Sequence, residues 1–431
     1  MCFQAKFSAL IIALSIAQTH AAGFDDFQTP EFDATSLNPE TANESNWKNT
    51  LSYANAVDDH SDTVVNRLSW RLQWESLQGE NNYWVIDTKL RLFNKSDMQH
   101  ASNEAIDYDL NLNSLYLQKS FDQNSLKAGF QTITLGFMDF INVSNVLTPQ
   151  DFSEAVFTSP EDSRIGQAVI NWTWYQQNQQ IDLYVNFYPT ENRYPLSNYR
   201  QILTDSLGTS NFTLSDELPG AFEEPEILLK WQMQNDEHEI QLIAASLLQN
   251  DPNLKPVSLL PPQSFAIEYP RFSFLAGAYS YTSGQHQLKT EASYKQDIKP
   301  VDTGNLEINE SSIALGWEYS ANGDYTLSLE SVVTERDLPG QSTGLIPISL
   351  IETRQEQTVI SWRKNFLNET VYATVFAGIF NPGDLKIVSL SISYTPVDDW
   401  IIELIATEVD SDNAEYNIYT SNTLIKASYY W

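Results

Sequence analysis

A two-residue alternation of apolar and polar side chains runs from about residue 47 to the last residue, and no other feature constrains the fold as strongly. In 63–76, TVVNRLSWRLQWES, Leu68, Trp70, Leu72 and Trp74 fall on one side, and Arg67, Ser69, Arg71, Gln73 and Glu75 on the other. In 82–95, Trp84, Ile86, Thr88, Leu90 and Leu92 oppose Asp87, Lys89 and Arg91. Successive strand side chains point to opposite faces, so each such segment has one face in an apolar medium and one in water. The same pattern predicts strands over 104–120, 125–136, 166–176, 180–188, 225–235, 238–248, 271–282, 286–296 and 311–320. It continues over 324–335, 356–365, 370–380, 385–395, 399–409 and 421–431, with a weaker first strand at 47–58.

The connections carry separate information. Short links, such as QGEN near 79, DQNS near 122 and TSGQ near 283, alternate with long ones at 137–165, 189–224, 249–270, 297–310 and 336–355. Short turns on one rim and long loops on the other are the pattern of a barrel that crosses an outer membrane. The expected fold is therefore all-β: a transmembrane antiparallel β-barrel of about eighteen strands, with short periplasmic turns and long extracellular loops. A soluble β-sandwich would alternate too, but leaves the loop asymmetry without a cause. No repeat of propeller-blade length is visible. The closing run NTLIKASYYW puts Ile425, Ala427, Tyr429 and Trp431 on one face. It resembles the C-terminal signature by which the barrel assembly machinery recognises its precursors, with Trp431 where Phe is usual.

Residues 1–22 have the form of an export signal: Lys6, an apolar stretch from Phe7 to Ala17, then small residues ending at Ala21 and Ala22. That stretch is short of the ~20 residues a membrane-spanning helix needs. Residues 23–46 then form an N-terminal periplasmic or lumenal segment and 47–431 the barrel. The single cysteine, Cys2, lies inside the signal, so disulfides and thiol chemistry are excluded from the mature chain. With 24 basic and 56 acidic residues the formal charge is −32, which repels nucleic acid and favours cations locally.

A barrel of this size encloses a lumen wide enough for water unless something fills it. Function then belongs to inward side chains and long loops. Arg67, Arg71, Asp87, Lys89, Arg91, Asp107 and Asp109 are expected to line the pore, where opposed charges set a transverse field, or to pair with one another in the wall. The loop 137–165, FMDFINVSNVLTPQDFSEAVFTSPEDSRI, is too apolar for a solvated loop. It is expected to fold inward as a constriction, with Asp139, Phe140, Asp151, Phe152 and Arg164 as its key residues. Acidic residues Asp216, Glu217, Glu223, Glu224, Glu226, Asp410 and Asp412 are expected to be solvated, without the spacing of a dedicated calcium loop. No metal site or cofactor is expected.

Around that loop, Gly129, Gln131, Gly136, Asp139, Pro149, Asp151, Asp162, Ser163, Arg164 and Gly166 match a pattern of poorly characterised porin-like outer-membrane proteins. Phe130, Leu135 and Asn145 depart from it, in place of Arg, Trp and Asp. The run GFDDF, Gly23 to Phe27, is also similar to mature N-termini in such proteins. The resemblance implies a channel in a Gram-negative outer membrane, in some members associated with lipid-like or hydrophobic molecules. On physical grounds, Arg164 is expected to pin the loop by pairing with Asp139 or Asp151.

Other classes remain open. An adhesive or structural barrel would work through loops 189–224 and 336–355. An outer-membrane hydrolase would need a nucleophile within hydrogen-bond reach of a base, and His60 beside Asp58 and Asp59 is the sole arrangement of that kind. Too few residues precede the first strand for a folded receptor plug. Lipid and lipopolysaccharide are the expected surroundings, and a homo-oligomer is possible.

Overall fold

The computed structural model describes residues 45–79, 81–97, 105–151, 163–193, 212–216, 220–251, 253–258, 263–299, 307–321, 324–338, 353–381, 385–411 and 421–431. The expected signal, and segment 23–46 apart from residues 45 and 46, lie outside these. The strands, in chain order, are β1 Ser45–Asp58, β2 Thr63–Gln78, β3 Asn82–Asn94, β4 Ile106–Ser120, β5 Asn124–Gln131, β6 Gln167–Gln176 and β7 Gln179–Tyr188. Next come β8 Phe212–Asp216, β9 Glu226–Gln234, β10 His238–Leu248, β11 Asn253–Ser258, β12 Gln263–Glu268, β13 Arg271–Ser283 and β14 His286–Ile298. The chain ends with β15 Ile308–Ser320, β16 Tyr325–Asp337, β17 Arg354–Phe366, β18 Val371–Phe380, β19 Leu385–Val397, β20 Trp400–Asp410 and β21 Asn422–Tyr430.

All but β8, β11 and β12 join one 18-stranded antiparallel sheet that closes on itself. The seam is β1 against β21, from Thr50↔Tyr430 to Asp58↔Asn422, and Asn49 and Trp431 exchange backbone hydrogen bonds of 3.1 and 3.2 Å. Closure matters because an open edge would leave N–H and C=O groups unpaired in a medium that offers no partners. No helix among the described residues is long and apolar enough to cross a membrane, and a barrel crosses with its strands.

The alternation has the predicted consequence. On β15, Glu310, Ser312 and Ala314 point inward and are buried, while Ile313 and Leu315 point outward, 60% and 61% exposed. Leu68, Trp70, Leu92, Leu275, Leu329, Val388 and Leu404 continue that apolar belt around the barrel. Below it, near the short turns, lies an aromatic girdle: Trp47 with Trp74 (centroids 5.7 Å), Trp317 with Tyr319 (6.5 Å), Trp400 with Tyr429 (5.1 Å) and Tyr429 with Trp431 (5.6 Å). Such girdles mark the headgroup level of membrane barrels. Leu315→Arg, facing lipid part-way along β15, is expected to destabilise the barrel by about 2–4 kcal/mol. Urea unfolding from lipid vesicles measures this, and an unchanged midpoint would remove that face from the bilayer.

Two features differ from expectation. The strand expected at 125–136 stops at Gln131, because Ile133 and Leu135 alternate as strand residues do but bury in the barrel interior. The segments expected to be loops at 189–224 and 249–270 contain β8, β11 and β12, which form a small sheet of their own. There β12 pairs β11 antiparallel and β8 in parallel. Pairing between separate loops leaves no trace in local periodicity.

Candidate functional site

After β5 the chain turns inward and crosses the barrel. Its base is closed by Thr148, whose Oγ1 accepts from Ile133 N (2.9 Å) and donates to Ile133 O (2.7 Å). Gly136 N then donates to Gln241 Oε1 on β10 (2.8 Å). Phe137 N and Met138 N donate to Glu291 Oε1 on β14, at 2.5 and 2.9 Å. Asp139 N meets Glu330 Oε1 on β16 (2.8 Å), and Phe140 N and Ile141 N meet its Oε2 (both 2.9 Å). Backbone N–H groups away from water must find acceptors, and two wall carboxylates supply them for five consecutive residues. Gly136 permits the approach: its φ is +86°, and a Cβ there would stand 2.4 Å from Glu291 Oε1.

The apex then reverses. Asn142 Oδ1 accepts from Ser144 N (2.9 Å) and Asn145 N (2.8 Å), and Ser144 Oγ donates to Glu291 Oε2 (2.8 Å). The loop's apolar side chains are accounted for by packing. Met138, Phe140 and Ile141 join wall residues that include Val332, Val359, Phe376 and Ile405, with Phe140 and Phe376 rings 5.6 Å apart. Leu135 and Leu147 join Val169, Leu228, Ile243 and Phe274 on another stretch of wall. Residues from both clusters place the loop across the interior.

The return leg is held by the charged wall of β2–β4. Arg91, 1% exposed, bonds Asp151 through Nη2 (2.7 Å) and also Asp109. Asn111 Nδ2 adds a bond to Asp151 (3.3 Å), and Arg193 reaches Asp109 at 2.9 Å. Asp139 is taken by Lys289 of β14 (2.8 Å). The pairing expected of Arg164 is thus corrected: Asp151 belongs to Arg91 and Asp139 to Lys289. Arg164 instead forms a backbone bridge to Gln150 at the neck of the loop. Phe152 lies outside the described residues.

Arg67, Arg71, Asp87, Lys89, Arg91, Asp107 and Asp109 share the inward face, as the register of β2, β3 and β4 requires. Several are closed off rather than open to the lumen, however. Arg67 is buried in a two-pronged pair with Asp97 (3.0 and 3.2 Å), and Arg91 as described. Arg71 grips Asp87 through Nε and Nη2 (2.9 and 2.6 Å), and Lys89 is buried beside them. Asp107 is half-buried and accepts from Tyr108 N. A charge on a barrel wall is held most cheaply against its opposite, which is why pairing prevails.

The histidines sit elsewhere. His60 caps the β1–β2 turn, its Nδ1 2.7 Å from Asp59, while Asp58 accepts from His60 N and Asp62 N. His238 and His286 sit in the girdle, His238 stacked on Tyr281 (4.9 Å) and His286 tilted against Tyr319 (5.0 Å). His100 lies outside the described residues. Of the acidic residues expected to be solvated, Glu226 begins β9, buried, and binds Asn186 Nδ2 (2.6 Å) and Leu248 N (2.7 Å). Glu223 caps Gly220 N, and Asp410 pairs with Lys386. Glu217, Asp412 and the side chain of Asp216 are outside the described residues.

The anchors Gln241, Glu291 and Glu330 carry no local signal in the sequence. Each is an inward polar residue on an ordinary alternating strand, and only the loop's path distinguishes it. The girdle was within reach of sequence, since its Trp and Tyr residues recur beside the short turns.

The sequence matches no protein-family model and no curated protein. Solved structures do resemble it in fold. OccAB1 of Acinetobacter baumannii aligns with a TM-score of 0.55 at 10% identity, over 91% of this chain and 97% of that one. The outer-membrane protein opdK of Pseudomonas aeruginosa gives 0.54 at 9%, over 90% and 99%. OccK9 (OpdG) of Pseudomonas aeruginosa gives 0.51 at 11%, over 91% and 98%. At these identities the likeness is one of fold: a closed outer-membrane β-barrel.

Proposed function

We propose that this barrel is a porin-like channel of the outer membrane, passing ions and small solutes passively, with residues 132–151 setting its narrowest level. One observation carries the reading: the loop crosses the lumen and is pinned on one side by Glu291 and Glu330 and on the other by Arg91. A segment serving only as an external cap needs no anchors on interior strands. On this reading the groups that keep contact with water line the path. They are Asp139, Asp109 and Arg193, with side chains 30%, 25% and 39% exposed, together with the Arg71–Asp87 pair. Trp431, exposed at the closure seam, is the contact for the assembly machinery, and lipopolysaccharide surrounds the long-loop rim.

Single-channel recording in planar bilayers tests this. Discrete conductance steps are expected, with a reversal potential in a KCl gradient whose sign reports preferred K⁺ passage, because an excess of carboxylates concentrates cations. A folded, heat-modifiable barrel that gives no steps would instead be a closed, adhesive or structural one.

A further inference from the structure

The cylinder is continuous along its periplasmic half, but above it one flank of β4 has no neighbouring strand among the described residues. Lys95 N donates to Ala105 O (3.2 Å), which sets the phase of the β3–β4 ladder. In that phase Asp107, Asp109 and Asn111 bond β3, while Ile106, Tyr108, Leu110 and Leu112 aim N–H and C=O at the opposite flank. There β5 reaches only as far as Leu115↔Phe130, because the chain turns inward after Gln131. Gly166, just before β6, comes against the carbonyls of Leu112 and Asn113, where a Cβ would stand 2.6 and 2.4 Å from them. Above that contact, no described backbone group bonds Ile106, Tyr108 or Leu110 on this flank, and Tyr108 N turns to Asp107 Oδ1 (2.8 Å).

The slot lies at the level of the bilayer. Tyr108 and Leu110 stand opposite Leu92 and Leu90, and Leu92 belongs to the apolar belt. Ile106, Tyr108 and Leu110 are 68%, 71% and 61% exposed, against 37% for Leu92, because a side chain loses cover where its flank has no strand. On the lumen side of the same stretch stand Asp107 and Asp109, with Arg193 reaching Asp109 and Arg91 and Asp151 buried behind them. A strand edge facing lipid needs partners for its N–H and C=O groups. From lumen to lipid this edge passes through charged side chains, then backbone dipoles, then apolar side chains. A peptide strand matches only the middle of that series, whereas a molecule with a polar head and one hydrocarbon chain matches all of it. We infer that the β4 flank is a lateral portal, through which a single-chain amphiphile moves between the lumen above the constriction and the outer leaflet. The inference goes beyond the channel reading and does not depend on the pore conducting.

Single-cysteine variants test it, since Cys2 lies in the expected export signal and the barrel has no thiol of its own. Leu110→Cys and Leu90→Cys face outward as one register pair, the first on the open flank and the second on a strand paired on both sides. In vesicles, a membrane-impermeant maleimide reacts with Leu110→Cys at least about tenfold faster than with Leu90→Cys, because water in the slot lets the thiol ionise and lipid does not. A photoreactive long-chain fatty acid is the amphiphile probe. It labels Asp109 or Arg193 saturably in the native barrel, and a bulky maleimide on Leu110→Cys abolishes that labelling. The same adduct on Leu90→Cys, formed in detergent before reconstitution, leaves it unchanged. Heat-modifiable migration checks each fold, and Ile106→Cys replaces Leu110→Cys if that fails to fold. Equally slow reaction of both thiols means that the chain itself or a second copy covers the edge, and overturns the inference. So does labelling confined to outward side chains, or inward labelling that survives the adduct on Leu110→Cys. Conductance steps without inward labelling remove the portal and leave the channel; inward labelling blocked by that adduct, without any steps, keeps the portal and removes the channel.

Discussion

A variant in which residues 137–146 are replaced by a short Gly-Ser bridge is expected to conduct in unit steps at least about twofold larger than native. The excised stretch contains the apex that meets Glu291 and Glu330, and the buried Met138, Phe140 and Ile141. Its removal widens the lumen at that level and leaves both glutamates facing water, so cation preference should rise together with conductance. A subtler version keeps the loop and removes one anchor. Glu330→Ala strands the N–H groups of Asp139, Phe140 and Ile141, each at a cost of about 1–3 kcal/mol if it stays buried. The apex then leaves the wall, and open-channel current noise rises. Native step size in the deletion variant would put the narrowest point elsewhere and end the constriction proposal.

Arg91→Met should cost the barrel about 3–5 kcal/mol. The guanidinium is buried between Asp109 and Asp151, and Asp151 has no exposed side-chain surface. Taking away the cation leaves a buried carboxylate in the wall without its closest cation, Arg193 standing 3.8 Å away and Asn111 3.3 Å. Urea unfolding from vesicles, followed by tryptophan fluorescence, reads the loss. Adding Asp151→Leu removes the uncompensated charge and should restore most of the stability, because replacing both members of a buried pair with apolar groups is often near neutral. A double variant no more stable than Arg91→Met would show that the pair is not what holds this wall. The loop gives a second readout: without the Arg91–Asp151 tie its return leg loosens, and conductance fluctuates in the single variant.

The two predictions draw on different amounts of sequence information. That Arg91 and Asp109 point inward follows from alternation, and that they face one another follows from register. That Arg67 and Arg91 are buried in pairs, rather than open to the lumen, does not follow. Alternation says which way a side chain points, and nothing about whether Asp97 or Asp151 folds over it. A pairing of Arg164 with Asp139 or Asp151 fails for the same reason: Arg164 is near in sequence, whereas Lys289 is 150 residues away from Asp139.

Residues 132–136 show the limit from the other side. Ile133 and Leu135 carry a correct strand periodicity, yet they leave the sheet, since an apolar residue is equally well buried against lipid or against a filled interior.

What the amino-acid order determines unaided is the barrel: a period of two, sustained through alternating short and long links, admits a closed sheet with one wet and one apolar face and little else. Each residue's side of the wall comes with it, as does the excess apolarity of the loop, which requires burial somewhere. Where it is buried was settled in three dimensions. The N–H groups of residues 137–141 meet Glu291 and Glu330 only because closing the cylinder brings β14 and β16 within hydrogen-bond reach of a segment more than 150 residues earlier. Hydrogen bonding acts across ångströms of space, and no local pattern along a chain records which distant carboxylate will arrive there.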